Sequence, residues 1–264
     1  MRLPLPVRLR LRGLAEALDR VPAPALEPPP LRLALVYRAR NAGTVAALLA
    51  GLPPGTDVRL WALDEAVPGL PTAGVGPGLR FVLLNRLLAG APDDGAWTVL
   101  ADDDVRLVRG SLQQAAALCR AAGVDVGQPA HAWNSYVSHD HTRRRVLSLV
   151  REVWFVEQGP VVLLSPAARA RVLPLPEDVG MGWGIEYRWS SLRRDGLRLG
   201  IVDAVALRHL APAGAGYDQA EARAVGHRLR REQGYGSVTE LLRTTGVWRV
   251  DHAATGTAAP WLSR

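Results

Sequence analysis

The sequence predicts an α/β fold in which helices cover both faces of a mostly parallel sheet. The chain has 264 residues, of which 48% are hydrophobic, so it can bury one sizeable core. Strand and helix patterns alternate three times in its first half, as they do in parallel sheets. The third predicted strand runs directly into Asp102, Asp103 and Asp104, at the strand end where ligands bind in open sheets of this kind.

The alternation begins after a basic extension over residues 1–30, which ends in three consecutive prolines and resembles a stiff linker. Short apolar runs then indicate buried strands, and apolar residues at helical spacing indicate the helices between them. The predicted strands of the first half are 31–37, 57–63 and 97–101. The predicted helices are 41–49, 78–88 and 111–122, the last with Ser111 as its N-cap. Proline and glycine crowd residues 68–78, which are predicted to form a loop.

The second half alternates less regularly. We expect strands at 152–156, 161–165 and 200–207. We expect helices at 166–172, 183–193, 219–233 and 237–243. Residues 211–218 are rich in glycine and alanine and are predicted to be a loop, and the last dozen residues a frayed tail. This gives a globular domain over residues 31–236, followed by a C-terminal helix and tail over residues 237–264.

The formal charge of +7 invites a nucleic-acid interpretation. All 32 basic residues are arginine, which indicates a coding bias rather than selection for a basic surface, so we expect no nucleic-acid partner. A phosphate-rich small ligand fits the charge equally well, and peripheral contact with an anionic membrane stays open. Arginine alternates with apolar residues over residues 7–12, which favours a short strand or a loose arm over a lipid contact.

The single cysteine, Cys119, excludes a disulfide framework and is compatible with a reducing compartment. The N-terminus has no unbroken apolar run of the kind found in signal peptides, and no stretch is long enough to span a membrane. We therefore expect a cytoplasmic protein.

The acidic triplet is the strongest candidate site. Three adjacent carboxylates repel one another unless a cation or hydrogen bonds compensate. Hard oxygen ligands suit Mg²⁺ or Mn²⁺, and such an ion can bridge to a diphosphate. The alternative is a solvated turn of acidic residues that follows a strand.

The run WTVLADDDVRL, which contains this triplet, resembles the strand and DxD motif of GT-A glycosyltransferases. The resemblance implies a GT-A fold with a mixed, mostly parallel sheet flanked by helices. It also implies that Asp102 or Asp103 contacts the donor ribose and that Asp104 binds the metal, Mn²⁺ or Mg²⁺. Because the triplet is continuous, the assignment can shift by one residue.

A second segment, Gly182 to Glu186, resembles the W-G-x-E segment of the same enzymes. The resemblance implies that Trp183 and Gly184 lie against the sugar and that Glu186 is the general base, which suits an inverting displacement. Tyr187 stands where an aspartate is commoner, so Glu186 is the only local carboxylate left for this role. The alternative is an ordinary helix start with a core tryptophan and a solvated glutamate.

A third feature follows the last predicted strand, which carries Asp203 and ends near His209. In many GT-A enzymes a histidine in this place completes the metal site, so the resemblance makes His209 a metal ligand. The loop after it, residues 211–216, has the small residues of a closing lid.

The resemblance also places the donor's base and phosphates at the end of the first strand, where Tyr37, Arg38 and Arg40 stand; arginine suits a diphosphate. Weaker candidates lie where an acceptor would bind. They are Gln128, Pro129, His131, Trp133 and Glu157. Residues 139–141, His-Asp-His, resemble a metal cluster but are predicted to be a polar loop because no further ligand is placed.

These parts, in this order, resemble a plant and bacterial GT-A-like family of unknown function over about residues 31–216. The function they predict is a hexosyltransferase-like glycosyltransferase that moves a sugar from a nucleotide-diphosphate donor to a hydroxyl of a glycan or small molecule. A non-catalytic sugar-nucleotide or glycan binder is the alternative, which Tyr187 favours. A phosphatase or phosphotransferase of the haloacid type would carry Thr or Val where Arg106 stands.

Overall fold

The structure is a computed structural model that describes residues 5–19, 25–212 and 219–249. Its strands are β1 Leu31–Tyr37, β2 Asp57–Ala62, β3 Thr72–Val75, β4 Trp97–Ala101, β5 Val105–Arg109, β6 Val126–His131, β7 Val150–Val153, β8 Val161–Leu164, β9 Leu199–His209 and β10 Thr244–Trp248. Its α-helices are α1 Leu5–Leu18, α2 Ala42–Ala50, α3 Arg80–Leu88, α4 Leu112–Ala122, α5 Pro166–Val172, α6 Ile185–Leu192 and α7 Gln219–Glu232.

The ten strands form one sheet in the order β10-β7-β9-β6-β8-β4-β1-β2-β3, and β5 pairs with the end of β9. One half is parallel, because β1 lies between β2 and β4 and β2 pairs with β3 in the same direction. The strand β8 joins this half to β6 through two antiparallel pairings, and β6 then runs parallel to β9. The predicted mixed sheet flanked by helices is confirmed.

Side-chain alternation along the central strands places core on both faces of the sheet. In β1, Leu31, Leu33 and Leu35 pack on one face, and Ala34 and Val36 pack on the other. The helices α2 and α4 cover the first face, whereas α3, α5 and α6 cover the second. Burying each large apolar side chain stabilises the fold by about 1.5–3 kcal/mol.

Local capping explains where two of the predicted helices begin. The Ser111 hydroxyl accepts a 3.2 Å hydrogen bond from the backbone N–H of Gln114, which confirms the predicted N-cap of α4. That helix ends at Gly123, whose φ of 65° suits glycine. Ser165 caps α5 in the same way, with Pro166 in the first turn.

The N-terminal extension differs from its prediction. Residues 5–18 form the helix α1, so a strand or loose arm over residues 7–12 is wrong. The alternation of arginine and apolar residues over those six positions fits the period of a strand as well as that of a helix. The apolar residues at positions 7, 11, 14 and 18, however, fit only a helix.

Four short strands were not predicted, and one predicted helix is mostly absent. The strand β3 lies in the predicted loop, β5 follows the acidic triplet, and β6 follows α4. Instead of a helix over 237–243 there is one 3₁₀ turn, Val238–Glu240, followed by β10, which pairs with β7 beyond the predicted domain boundary at residue 236. Edge strands such as β3 and β10 depend on their partners more than on their own residues.

No helix in the described ranges is long and apolar enough to cross a membrane. The predicted lid residues 213–216, the rest of that loop to residue 218, and the tail from residue 250 onward lie outside the described residues.

Candidate functional site

A cleft of about 750 Å³ opens at the carboxyl ends of β1 and β4. The acidic triplet that follows β4 forms part of its wall, as the topology of a parallel sheet predicts. The site residues predicted from the sequence that line this cleft are Arg38, Arg40, Asp102, Asp103, Asp104, Trp183, Gly184, Glu186 and His209.

The middle carboxylate of the triplet, Asp103, ties two strands together. It is 6% exposed and accepts a 2.8 Å hydrogen bond from the backbone N–H of Arg38 at the end of β1. The Arg38 guanidinium lies 3.7 Å from its other oxygen. Asp103 therefore fixes the ends of β1 and β4 beside each other.

The outer two carboxylates, Asp102 and Asp104, converge on His209. One ligand atom from each of these three residues lies within 4.8 Å of the other two. The His209 Nε2 lies 3.1 Å from Asp104 Oδ1, because β5 pairs with the end of β9 and sets Val105 opposite His209. Two carboxylates and one imidazole are a donor set that suits Mn²⁺ and can accept Mg²⁺. No other group of three such residues occurs within the described part of the chain.

Burial and neighbouring charges shift the pKa values of Asp102 and His209. Burial raises the pKa of Asp102, with the charges of Asp104 and Asp103 adding to the shift, although Arg80 bonds to its carboxylate at 2.8 Å. Burial lowers the pKa of His209, but its hydrogen bond with Asp104 and the nearby carboxylates outweigh burial, so the net shift is upward. Closely spaced carboxylates disfavour a second negative charge, and a proton or a cation relieves that repulsion.

Arg80 was not predicted as a site residue. Asp102 comes two residues after Leu100, so both side chains lie on the same face of the sheet. The helix α3, which carries Arg80, covers that face. Arg80 is the first residue of that helix, so the start of α3 carries the guanidinium to the cleft. No local sequence signal marks it, because its partner lies in another element.

Glu186 lies in the first turn of α6 and faces the cleft. Its carboxylate accepts hydrogen bonds from the backbone N–H groups of Gly184 at 2.9 Å and Gln158 at 3.3 Å. Burial raises the pKa of Glu186 to about 7, and the charge of Glu157 raises it further, against these hydrogen bonds. A carboxyl group with this pKa is half ionised at neutral pH, which suits a proton acceptor.

The two glycines beside Trp183 serve packing between chain segments. Gly184 has a φ of 94°, and a Cβ there would lie 2.7 Å from the Cα of Gly226 in α7. A Cβ on Gly182 would lie 2.5 Å from the Phe81 ring. The close approach these glycines allow is thus to α7 and α3, not only to a ligand as the resemblance implied. Trp183 is partly exposed and lines the cleft.

Glu157, a weak candidate in the sequence, is a buried carboxylate in the cleft wall. It lies 3.1 Å from His131 Nε2 and accepts a 3.1 Å hydrogen bond from the backbone N–H of His139. Its own N–H donates to Gln128 at 2.6 Å. Gln128 and His131 are both buried behind the cleft, so they hold Glu157 rather than face an acceptor.

Tyr37 is placed differently from its prediction. Its side chain is fully buried in the core, where its hydroxyl lies 2.6 Å from Thr72 Oγ1 and accepts a hydrogen bond from the Val67 N–H. The structure therefore separates Tyr37 from the cleft, whereas Arg38 and Arg40 line it. Side-chain alternation along β1 explains the difference, because Tyr37 continues the row of Leu31, Leu33 and Leu35 that packs into the core.

The His-Asp-His segment is a polar loop, as predicted. Asp140 pairs with Arg143 at 2.9 Å. Burial, then the charge of Arg151, lowers the pKa of His141 to about 4. The nearby Asp203 is also structural, since it is fully buried and bonds to Arg151 through both oxygens at 2.8 and 3.0 Å.

Tyr187 packs against a small apolar cluster beside the cleft. The cluster consists of Phe155, Tyr235 and Leu241, with Tyr187 against them. Tyr187 and Phe155 both line the cleft, so this wall is aromatic.

No protein-family model matches the chain, and no curated protein is similar to it in sequence. Its architecture is similar to that of solved structures, including those of GalNAc-T7 and S. aureus TarS. The structure of GalNAc-T7 with UDP, GalNAc and Mn²⁺ superposes with a TM-score of 0.56 at 9% identity, covering 77% of this chain and 48% of the other. The S. aureus TarS 1–349 complex with UDP-GlcNAc gives a TM-score of 0.52 at 12% identity, covering 76% and 66%.

The chain thus has the fold of GT-A glycosyltransferases. It spans about half the length of GalNAc-T7 and just under two thirds of that TarS chain. Fold alone does not assign an activity, so the function must be argued from the cleft.

Proposed function

We propose that this protein transfers a sugar from a nucleotide-diphosphate donor to a hydroxyl group of a glycan or small-molecule acceptor. The observation that carries the proposal is the convergence of Asp102, Asp104 and His209 in the cleft, within 4.8 Å of one another. Such a donor set would hold Mn²⁺ or Mg²⁺, which supplies charge compensation for the leaving diphosphate.

The donor side of the cleft carries positive charge that suits a diphosphate. Arg38 and Arg40 stand at the end of β1, and Arg80 stands beside Asp102. Planar guanidinium groups pair with phosphate oxygens through two parallel hydrogen bonds. The UDP in the GalNAc-T7 structure and the UDP-GlcNAc in the TarS structure support a nucleotide-sugar donor for a chain of this fold.

Asp103 has a positioning role in this proposal. Its hydrogen bond to the Arg38 N–H holds the ends of β1 and β4 together. The residues after β1 that would contact the donor and the residues of the triplet that would contact the metal then keep fixed positions relative to each other.

Glu186 is the proposed general base. It accepts the proton of the acceptor hydroxyl while that oxygen bonds to the anomeric carbon of the sugar. The bond between that carbon and the diphosphate oxygen breaks, and the nucleoside diphosphate leaves with the electron pair. Attack opposite to the leaving group inverts the anomeric carbon. The pKa of about 7 makes Glu186 a better proton acceptor than an ordinary carboxylate.

The acceptor side is the aromatic wall formed by Phe155, Trp183 and Tyr187. Aromatic rings pack well against the apolar faces of sugar rings, and this favours a glycan acceptor. The same wall supports the alternative function, a glycan or sugar-nucleotide binder without turnover, because Tyr187 stands where an aspartate is commoner in the family that the sequence resembles.

The test is thermal unfolding of the chain with UDP, GDP and dTDP sugars, with and without Mn²⁺. A ligand present at 100 times its Kd should stabilise the fold by about 2.7 kcal/mol. Asp104→Asn should abolish this shift, whereas Asp93→Asn should not, because Asp93 is 90% exposed and outside the cleft. A native chain that no donor stabilises under any metal condition would contradict the proposal.

Turnover separates the two functions. A transferase releases the nucleoside diphosphate when donor and acceptor are both present, and Glu186→Gln should stop this release while donor binding persists. Donor binding with no release from any acceptor would favour the binding protein.

A further inference from the structure

The N-terminal helix α1 is attached to the rest of the chain along one face. A Cβ on Gly13 would lie 2.8 Å from the ring of Trp133, so the helix packs directly on that indole. Just after the helix, Asp19 is buried, pairs with Arg144 and accepts a 3.2 Å hydrogen bond from the Leu147 N–H. These contacts fix the helix and determine which side faces outward.

The outward side is apolar. Val7, Leu11, Leu14 and Leu18 are 41%, 51%, 58% and 68% exposed. Their spacing of four, three and four residues places them within an arc of about 60° on the helix surface. This apolar stripe lies opposite Gly13, the residue that packs on the protein.

Arginines border the apolar stripe on both sides. At 100° per residue, Arg8 and Arg10 lie roughly 70–90° to either side of its centre. Arg12 lies further round, 4.0 Å from Asp140. The helix holds these three arginines and a single acid, Glu16. An apolar face with basic borders is the pattern of helices that lie in the surface plane of a membrane.

We propose that α1 binds the surface of an anionic lipid bilayer, with the apolar stripe among the acyl chains and Arg8 and Arg10 at the headgroups. Charge decides between this occupant and a second copy of the chain. Pairing two such helices through their stripes would bring the arginines of both copies together, whereas anionic lipid complements them.

Two further exposed apolar residues lie near the end of α1. Leu147 is 63% exposed, and its N–H bonds to Asp19 at the end of α1. Val108 is exposed too, next to Arg109, whose guanidinium donates to the Asp19 carbonyl at 3.0 Å. The proposal does not depend on the transfer reaction, because none of these residues lines the cleft.

The test is sedimentation of the full chain with vesicles of phosphatidylcholine alone or with about 30% phosphatidylglycerol. The native chain should bind the anionic vesicles and bind less as salt rises. Leu11→Ser with Leu14→Ser should weaken binding at least tenfold. Arg8→Gln with Arg10→Gln should weaken it about 25-fold, at roughly fivefold for each arginine.

The matched control is Val75→Ser with Leu79→Ser, which removes two similarly exposed apolar side chains near the β3 edge. It should leave vesicle binding unchanged. The arginine pair is exposed, so its variant keeps the fold, and equal melting temperatures check this.

Three outcomes would overturn the proposal. The native chain could fail to bind anionic vesicles, or the control could weaken binding as much as the stripe variant. The native chain could instead form a dimer that Leu11→Ser with Leu14→Ser dissociates, which would assign the stripe to a second copy.

Discussion

Glu186 should make the stability of the protein fall as pH rises from about 4.5 to about 7. Its pKa is near 7 in the folded chain, against an ordinary value of 4.5. In this window the unfolded chain loses the Glu186 proton while the folded chain keeps it. Stability falls wherever the folded state binds more protons, and above the folded pKa the loss is complete. Glu186→Gln removes this dependence.

The size of the effect follows from the shift. A change from 4.5 to about 7, at 1.36 kcal/mol for each pH unit, is on the order of 3 kcal/mol. Glu186 is partly exposed, so about 2–3 kcal/mol is expected. Replacing one oxygen by an amide also disturbs the bonds from Gly184 and Gln158, but this cost does not change with pH.

The assay is urea unfolding of the native chain and of Glu186→Gln at about pH 4 and about pH 8. The stability of the variant relative to the native chain should rise by about 2–3 kcal/mol between these values. Titration of groups that do not interact with Glu186 cancels in this comparison. An unchanged difference would refute the argument that the cleft desolvates Glu186, and with it the reason for naming this residue the base.

Two further substitutions test buried contacts of the fold. Asp203→Ala should destabilise the fold by about 3–5 kcal/mol in urea unfolding, because it leaves the buried Arg151 without its carboxylate; a loss below about 1 kcal/mol would contradict this. Gly184→Ala should cost more than about 2 kcal/mol, since the new methyl group would strike Gly226, whereas Gly234→Ala adds only the left-handed strain of about 1 kcal/mol in open space. Equal losses for the two alanine variants would mean that backbone conformation alone, and not the approach of α7, requires Gly184.

The parts of the fold predicted correctly are those whose residues carry the whole signal. The strands β1 and β4 are short apolar runs, and α4 has a capping serine, an amphipathic body and a terminal glycine. The strand β10 carries no such signal, because it depends on its pairing with β7 about ninety residues earlier. The helix α1 was missed because the six alternating residues 7–12 fit the period of a strand as well as that of a helix.

The site follows the same rule. The position of the acidic triplet after an apolar strand located the cleft from the sequence alone. The partner of each carboxylate could not be predicted from the sequence. Asp103 is oriented by its hydrogen bond from the Arg38 N–H, and Asp102 by its ion pair with Arg80, and both arginines belong to other parts of the chain. The position of Tyr37, by contrast, follows from its own strand, because it continues the row of Leu31, Leu33 and Leu35 that packs into the core.

The central place of β9 in the sheet has a consequence for synthesis of the protein on the ribosome. This strand pairs with β5, β6 and β7, and its last residue is His209. A nascent chain that has not yet emerged past residue 209 can assemble β1 to β4 but lacks one of the three residues that converge in the cleft. The candidate metal site therefore cannot form until most of the chain has been translated, and ions captured by the growing chain before that point would be held by carboxylates alone.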